Sequence, residues 1–480
     1  MLETLDTIPW QLLQQARGDA SEVPGWIKDL TSENKEVRKQ AYLHLGSSIY
    51  DQGTVYSSTA YVVPFLCELL ENPQVLHKVW ILQLLVRIAH GSSYLDVHYR
   101  MTDKRHPADF QQKLQEELRW VRAAQSAVSA GYPTYLRLLK SDETRVRAAA
   151  VYTLSCCQVH ADEVIPALKE CLKQDEKQVV RASCIFALGQ LMPHIKETYD
   201  FFQHLLKKQK KPLLALVACL TYATLAEEDT PRQIVHLLLE SFELPPEIKE
   251  KFRSLPFTDV NLEATVSQAF RSIGHSIAPL VVPTLIKALP HCDAHSGVVL
   301  VDNLLYLVLE GRTISDQTHV DDLSDLQREV LTALVKNKQL WETGNMLLTV
   351  GSYFKPAHGL NFSMWSREDV AQFLKGKPLQ KLEHIDIPMP AITEAIEQEA
   401  PLEELKEELE QKHLDEDWEA PLEKRPEPVG HTNWISKIIR NSLHRLPIPF
   451  GNPILPVSNA AQTEDEPALI SSSQPEENAS

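Results

Sequence analysis

The chain has 480 residues, 43% apolar and 24% charged, a balance that excludes global disorder and predicts a sizeable core. Acidic residues outnumber Lys plus Arg by 65 to 48, a formal charge of -17 that repels phosphate backbones and disfavours nucleic acid as a partner. No apolar run is long enough to span a bilayer, and Met1 to Trp10 has neither a basic nor an apolar region, so no signal or transit peptide is expected.

Along the chain, Val23-Pro-Gly-Trp-Ile-Lys-Asp-Leu30 followed by Val37, Arg38 and Ala41 reads as a pair of helices. Val62-Val-Pro-Phe-Leu-Cys-Glu-Leu-Leu70 with the segment from Val79 to Leu85 reads as a second pair. An insertion over 92–110, rich in His, Tyr, Asp and basic residues, then interrupts the pattern and leads into a helix over about Gln111 to Val128. Insertions in repeat arrays emerge on one face, where binding often happens, which makes His98, Tyr99 and Arg100 candidate partner contacts. On the helix, Leu114, Leu118, Val121 and Val128 form one apolar stripe and Trp120, Ala124 and Ala127 another. Both stripes want cover. The helix is read as sandwiched in the array, with Trp120 as the alternative docking residue.

Two units then align plainly. Tyr132-Pro-Thr-Tyr-Leu-Arg-Leu-Leu-Lys-Ser-Asp142 leads into Val146-Arg147-Ala-Ala-Ala-Val-Tyr-Thr-Leu154, and Ile165-Pro-Ala-Leu-Lys-Glu-Cys-Leu-Lys-Gln-Asp175 leads into Val180-Arg181-Ala-Ser-Cys-Ile-Phe-Ala-Leu188. Each predicts a helix opened by Pro, a turn carrying Asp, and a second helix beginning Val-Arg. Asp142, Arg147, Asp175 and Arg181 are expected to be structural, the Asp capping the second helix and the Arg bridging to the next repeat in a ladder. Phe201 to Leu225, and Val281 to Leu289 with Val298 to Leu309, extend the array to roughly six to eight pairs. Such pairs cannot bury their own apolar faces, so they stack into one solenoid.

His291-Cys292-Asp293-Ala294-His295 offers metal-ligand residue types without tetrahedral spacing, and reads as a loop with a buried Cys. An odd total of seven cysteines at irregular spacing predicts no disulfide framework and places the chain in a reducing cytoplasm. No phosphate-cradling Gly-rich loop or Gly-x-Ser-x-Gly elbow occurs, so neither a cofactor nor a catalytic residue is assigned. Beyond the array, 351–427 reads as a helical and acidic extension, 428–450 as a short amphipathic segment and 451–480 as a disordered tail. In the amphipathic segment, Trp434 to Leu446 puts Ile435, Ile438, Ile439 and Leu443 opposite Lys437, Arg440 and Arg445, a candidate for a membrane surface, a partner groove or a cap on the array.

The Pro-led helix, Asp turn and Val-Arg second helix resemble HEAT repeats of the armadillo-type fold, including the short type grouped with phycobilisome lyase HEAT-like repeats. Gln52 to Leu66 and Leu118 to Ala124 are similar to segments of bacterial HEAT-repeat proteins. The resemblance implies an all-α fold, a HEAT-type α-solenoid over 8–350, and a non-enzymatic scaffold that binds a protein partner through the solenoid surface, the inner face made by the second helices above all. The alternatives are a bilin-lyase-like enzyme or enzyme subunit, and a peripheral membrane adaptor acting through Trp434 to Leu446. Deoxyhypusine hydroxylase, a HEAT-repeat di-iron enzyme, places its ligands on His-Glu dipeptides, and this chain contains none.

Overall fold

The computed structural model describes residues 2–99, 109–315, 317–342, 344–355 and 365–377. Helices dominate these residues. The first pair is α1 (Val23–Asp29) and α2 (Lys35–Ile49), followed by a small antiparallel hairpin of β1 (Tyr50–Asp51) and β2 (Thr54–Val55). The second pair is α3 (Thr59–Glu71) and α4 (Lys78–Ala89). The short α5 (Tyr94–Tyr99) and the long α6 (Phe110–Ala130) then break the alternation. Pairs resume with α7 (Tyr132–Leu138) and α8 (Thr144–Leu154), α9 (Ala161–Gln174) and α10 (Gln178–Leu191), and α11 (Lys196–Lys208) and α12 (Pro212–Ala226). In the next pair the first helix is split into α13 (Arg232–Glu240) and α14 (Pro246–Arg253) ahead of α15 (Leu262–Ile273). Next come α16 (Ala278–Ala288) and α17 (Ala294–Leu309), then α18 (Asp325–Lys336), α19 (Gly344–Tyr353) and α20 (Arg367–Leu374), with β3 (Ile314–Ser315) and β4 (Phe354–Lys355) paired in parallel.

The second helices stack on one another: α8 lies between α4 and α10, α10 packs on α12, α12 on α15, α15 on α17 and α17 on α19. This is an α-solenoid of helix pairs. The middle of its inner row is buried almost all round. Residues 182–189 of α10 are all buried, and so are residues 213–226 of α12 except the half-buried Ala215 and Thr224. Small side chains permit that closeness: a Cβ at Gly189 of α10 would meet Thr221 Cγ2 of α12 at 2.1 Å. Farther along, the stack is pinned by polar bonds. Arg271 of α15 donates to Asp302 of α17 (2.6 Å) while stacked over Tyr306 (4.0 Å), and the Tyr353 hydroxyl of α19 donates to the same carboxylate (2.7 Å).

Three features differ from the sequence expectations. The helices are not all opened by their prolines. Pro133 does sit in the first turn of α7, but α3 and α9 begin at Thr59 and Ala161, with Pro64 and Pro166 inside. A proline in the second turn forfeits one backbone hydrogen bond, and the added turn buries Val62, Val63 and Val164 completely in return. Second, the core does not end near residue 350. It runs from Leu5 through Trp10 to Tyr353, Phe354, Trp365, Val370 and Phe373. Third, α13 to α15 form a pair that the repeat pattern did not mark. The rest of the expected extension over 351–427, together with 428–450 and the tail over 451–480, lies outside the described residues.

Candidate interaction surfaces

The insertion adds two helices against the second pair. Helix α6 lies along α3, reaches α4, and carries α5 against its first half. Ala124 and Val128 are fully buried, while Leu114, Leu118, Trp120 and Val121 are half-buried, so both apolar stripes receive partial cover and Trp120 keeps one side to solvent. One carboxylate anchors the insertion's entry: Glu117 Oε2 accepts from Ser93 Oγ (2.7 Å) and from the backbone N–H of Leu95 (2.8 Å). His98 and Tyr99 fall at the end of α5, and Arg100 lies outside the described residues.

The β1–β2 hairpin closes beside this entry, with Ser92 N–H donating to Gly53 O (2.9 Å) and Val55 N–H to Ser92 O (3.2 Å). Its turn holds Gln52 at φ +46° and Gly53 at φ +92°. A non-glycine residue there is uncommon, and such strain concentrates at functional positions. Burial pushes the Asp51 carboxyl up, against the pull of Arg17. Burial likewise raises the Tyr56 phenol, helped by the negative Asp51 and Glu117 nearby.

Behind the insertion, α3, α6 and α7 enclose a cleft of about 440 Å³ lined by Pro64, Cys67, Glu71, Ala127, Thr134 and Arg137, among others. Much of its polar lining is already engaged. Glu71 accepts from Thr134 Oγ1 (2.7 Å) and pairs with Arg137, and these contacts, Thr134 first, hold its carboxyl below the usual range. The Tyr135 hydroxyl donates to Val128 O (3.1 Å), leaving the Cys67 thiol to donate to that hydroxyl (3.4 Å).

The repeat-position residues are only partly brought together. Arg147 Nε donates to Asp175 Oδ2 of the next repeat (2.7 Å), and its Nη1 reaches back to Ser141 O (2.8 Å) and Asp142 O (3.1 Å). Arg38 repeats that geometry on Ser32 O and Glu33 O, with its Nη2 at 3.2 Å from His77 Nε2 of the next pair. Arg181 instead donates to Leu172 O (3.0 Å) within its own pair. The turn after it, Gln209-Lys210-Lys211, offers no Asp. Nor do the aspartates cap: Glu143 and Lys177 hold the N-cap positions of α8 and α10, neither with a side-chain cap bond. Asp175 acts one step earlier, accepting from Lys177 N–H (2.8 Å) and so shaping the turn. At 291–295, Asp293 caps α17 through Ser296 N–H (2.8 Å), and Cys292 accepts from Asn261 Nδ2 (3.5 Å). Among the described residues no group of three or more His, Cys, Asp or Glu is arranged to hold a metal ion, and no single helix is long and apolar enough to cross a membrane.

The inner face differs most from expectation. Tyr152 of α8 and Phe186 of α10 occupy equivalent repeat positions, edge-on at 5.7 Å, and both are covered by Phe257, which stacks on Phe186 at 4.2 Å and 7°. Phe257 belongs to the link between α14 and α15. The middle of the expected binding surface is therefore filled by the chain itself. Nothing in the sequence pairs Phe257 with α10. Its weak signal is an apolar Leu255-Pro-Phe257 run in a link otherwise suited to polar residues.

With this geometry in view, residues 119–189, from the middle of α6 to the end of α10, match the family model for HEAT repeats. That segment is similar to HEAT repeats. A solved crystal structure of an engineered protein aligns over 69% of this chain and 89% of its own at 16% identity, with a TM-score of 0.25. No curated protein matches the chain. The HEAT repeats matched are the two pairs with the plainest repetition, α7–α8 and α9–α10.

Proposed function

We propose that this protein is a non-enzymatic scaffold of the cytoplasm that binds a protein partner on its outer surface around α6. HEAT repeats generally serve as protein-interaction scaffolds. The observation that carries the reading is the insertion itself. A long helix lies against α3 and α4, is anchored to the insertion's entry through Glu117, and leaves Trp120 half-buried. An aromatic residue with a covered body and an open edge suits the centre of a protein interface. The membrane-adaptor alternative rests on Trp434 to Leu446, outside the described residues, and the bilin-lyase alternative gains no residue from the geometry.

The test is affinity capture from native extract with three forms of the chain: unaltered, Trp120→Ser, and one with residues 100–108 replaced by a Gly-Ser linker. The linker replacement keeps Ser93 and Leu95 on Glu117, which removal of the whole 92–110 segment would not. A protein retained by the first form and lost from both others is expected. Equal retention by all three moves the interface elsewhere, and a co-purifying small molecule with no retained protein ends the scaffold reading.

A further inference from the structure

The link over 254–261 does more than join α14 to α15. A chain passing between neighbouring helices needs no apolar side chains of its own, yet Leu255, Phe257 and Val260 are each at most 7% exposed. Phe257 leaves its own pair and crosses to α10, flat on Phe186, with the Tyr152 ring of α8 at 6.2 Å and 62°. The link is held at both ends. Thr258 Oγ1 donates back to the end of α14, at 2.9 Å from Leu255 O and 3.2 Å from Phe252 O. Asn261 caps α15 through Ala264 N–H (2.9 Å) and donates its own N–H to Ser296 Oγ of α17 (3.0 Å). Between these anchors stand Pro256, which fixes its own φ in advance, Phe257, and the exposed Asp259.

Charge borders the same space. The Tyr152 phenol is held well above its ordinary range by burial and next by the negative Asp259, with Arg87 of α4 opposing. Arg87 is exposed. The groove therefore offers two aromatic rings set edge to face and a guanidinium close to one of them, and it is filled by a short stretch of chain carrying a phenylalanine and, two residues later, a carboxylate. One chain recognises another in this manner when an aromatic anchor enters a desolvated pocket beside a complementary charge.

We propose that the groove over α8 and α10 is a recognition site for an extended polypeptide segment of the pattern Pro-Phe-x-Asp, and that residues 254–261 occupy it as an internal competitor. The site is separate from the α6 surface, so either reading can fail without the other. Displacing Phe257 opens the groove, and a partner must outcompete the tethered segment to enter.

A fluorescent nine-residue peptide with the sequence of residues 253–261 is titrated into the full chain and followed by anisotropy. Three forms are compared: unaltered, Phe257→Ala, and Phe257→Ala combined with Phe186→Ala. Saturable binding to Phe257→Ala is expected, lost in the double variant and lost when the peptide's own Phe is replaced by Ala. A strap open in one molecule in about a hundred makes the unaltered chain bind about 100-fold more weakly than Phe257→Ala. Absence of binding to a Phe257→Ala chain that is folded by circular dichroism overturns the proposal, as does equal binding by all three forms. Should Phe257→Ala not fold, amide exchange on the unaltered chain decides. Exchange of 254–261 well ahead of α10 supports an opening strap, and exchange only together with α10 and α12 overturns it.

Discussion

Among single residues, Asp51 is one whose chemistry opposes its position. It sits in a two-residue strand next to a strained turn, and burial raises its carboxyl above the ordinary 3.8 despite Arg17. Between that ordinary value and the raised folded one, the folded chain holds a proton that the unfolded chain gives up. Stability therefore falls as pH rises through this window, and the loss persists at neutral pH. Asp51→Asn removes the charge at nearly constant shape, so the variant should melt at a higher temperature than the unaltered chain at pH 7, with the gap closing as pH falls toward the ordinary value. Thermal melts across that range check this. A variant that melts lower at pH 7 would mean that the carboxylate is needed ionised, in the field of Arg17. A group kept at a cost to stability is a candidate for function.

At the scale of elements, the joint between α6 and α7 shows how packing sets a bend. Gly131 has an ordinary φ of −73°, so glycine is required there by space and not by conformation. A Cβ would meet Tyr135 Oη at 2.4 Å and Cys67 Sγ at 2.7 Å, and Tyr135 is fully buried. Gly131→Ala should destabilise by roughly 1–3 kcal/mol as an overpacking change, and adding Cys67→Ala should restore part of the loss because the two sites touch. Urea denaturation of the single and double variants measures both effects, and simple additivity would show that the thiol is not the obstacle. The same scale explains what was legible in the sequence. Pairs α7–α8 and α9–α10 repeat the same residue types in register, Val146 with Val180, Arg147 with Arg181 and Tyr152 with Phe186, so their period shows directly. Pair α13–α15 hides because Pro245-Pro246 splits its first helix, while Thr265, Ser267 and Gln268 interrupt the apolar pattern of its second. Helical spacing showed that both stripes of α6 want cover, but not that Leu114, Leu118, Trp120 and Val121 would stay half-buried. The Arg147–Asp175 contact followed from matched repeat positions, but the continuation of that ladder failed because the next turn has lysines where Asp would be needed. Phe257 was not legible, since its partners lie two and three pairs back and no local period encodes them.

For the whole molecule, that contact matters because a solenoid otherwise has only neighbours. Its stability is close to a sum of repeats and of interfaces between adjacent ones, and such arrays lose cooperativity easily. Phe257 adds a tie of another kind, from the link before α15 across to α10 and α8, and couples four successive pairs into one unit. Truncating a buried phenylalanine costs about 3–5 kcal/mol in a well-packed core, and here the cavity would open on the face where pairs are tied together. Phe257→Ala should therefore lower the denaturation midpoint and also reduce the apparent m-value, because the pairs on either side no longer unfold in one step. Phe202, equally buried but on α11 next to Gly189 of the adjacent pair, supplies the control: Phe202→Ala removes a similar volume and touches only neighbouring pairs, without cutting a long-range tie. If both variants lose stability at an unchanged m-value, Phe257 is an ordinary core residue, and cooperativity in this solenoid arises from the stacked inner helices alone.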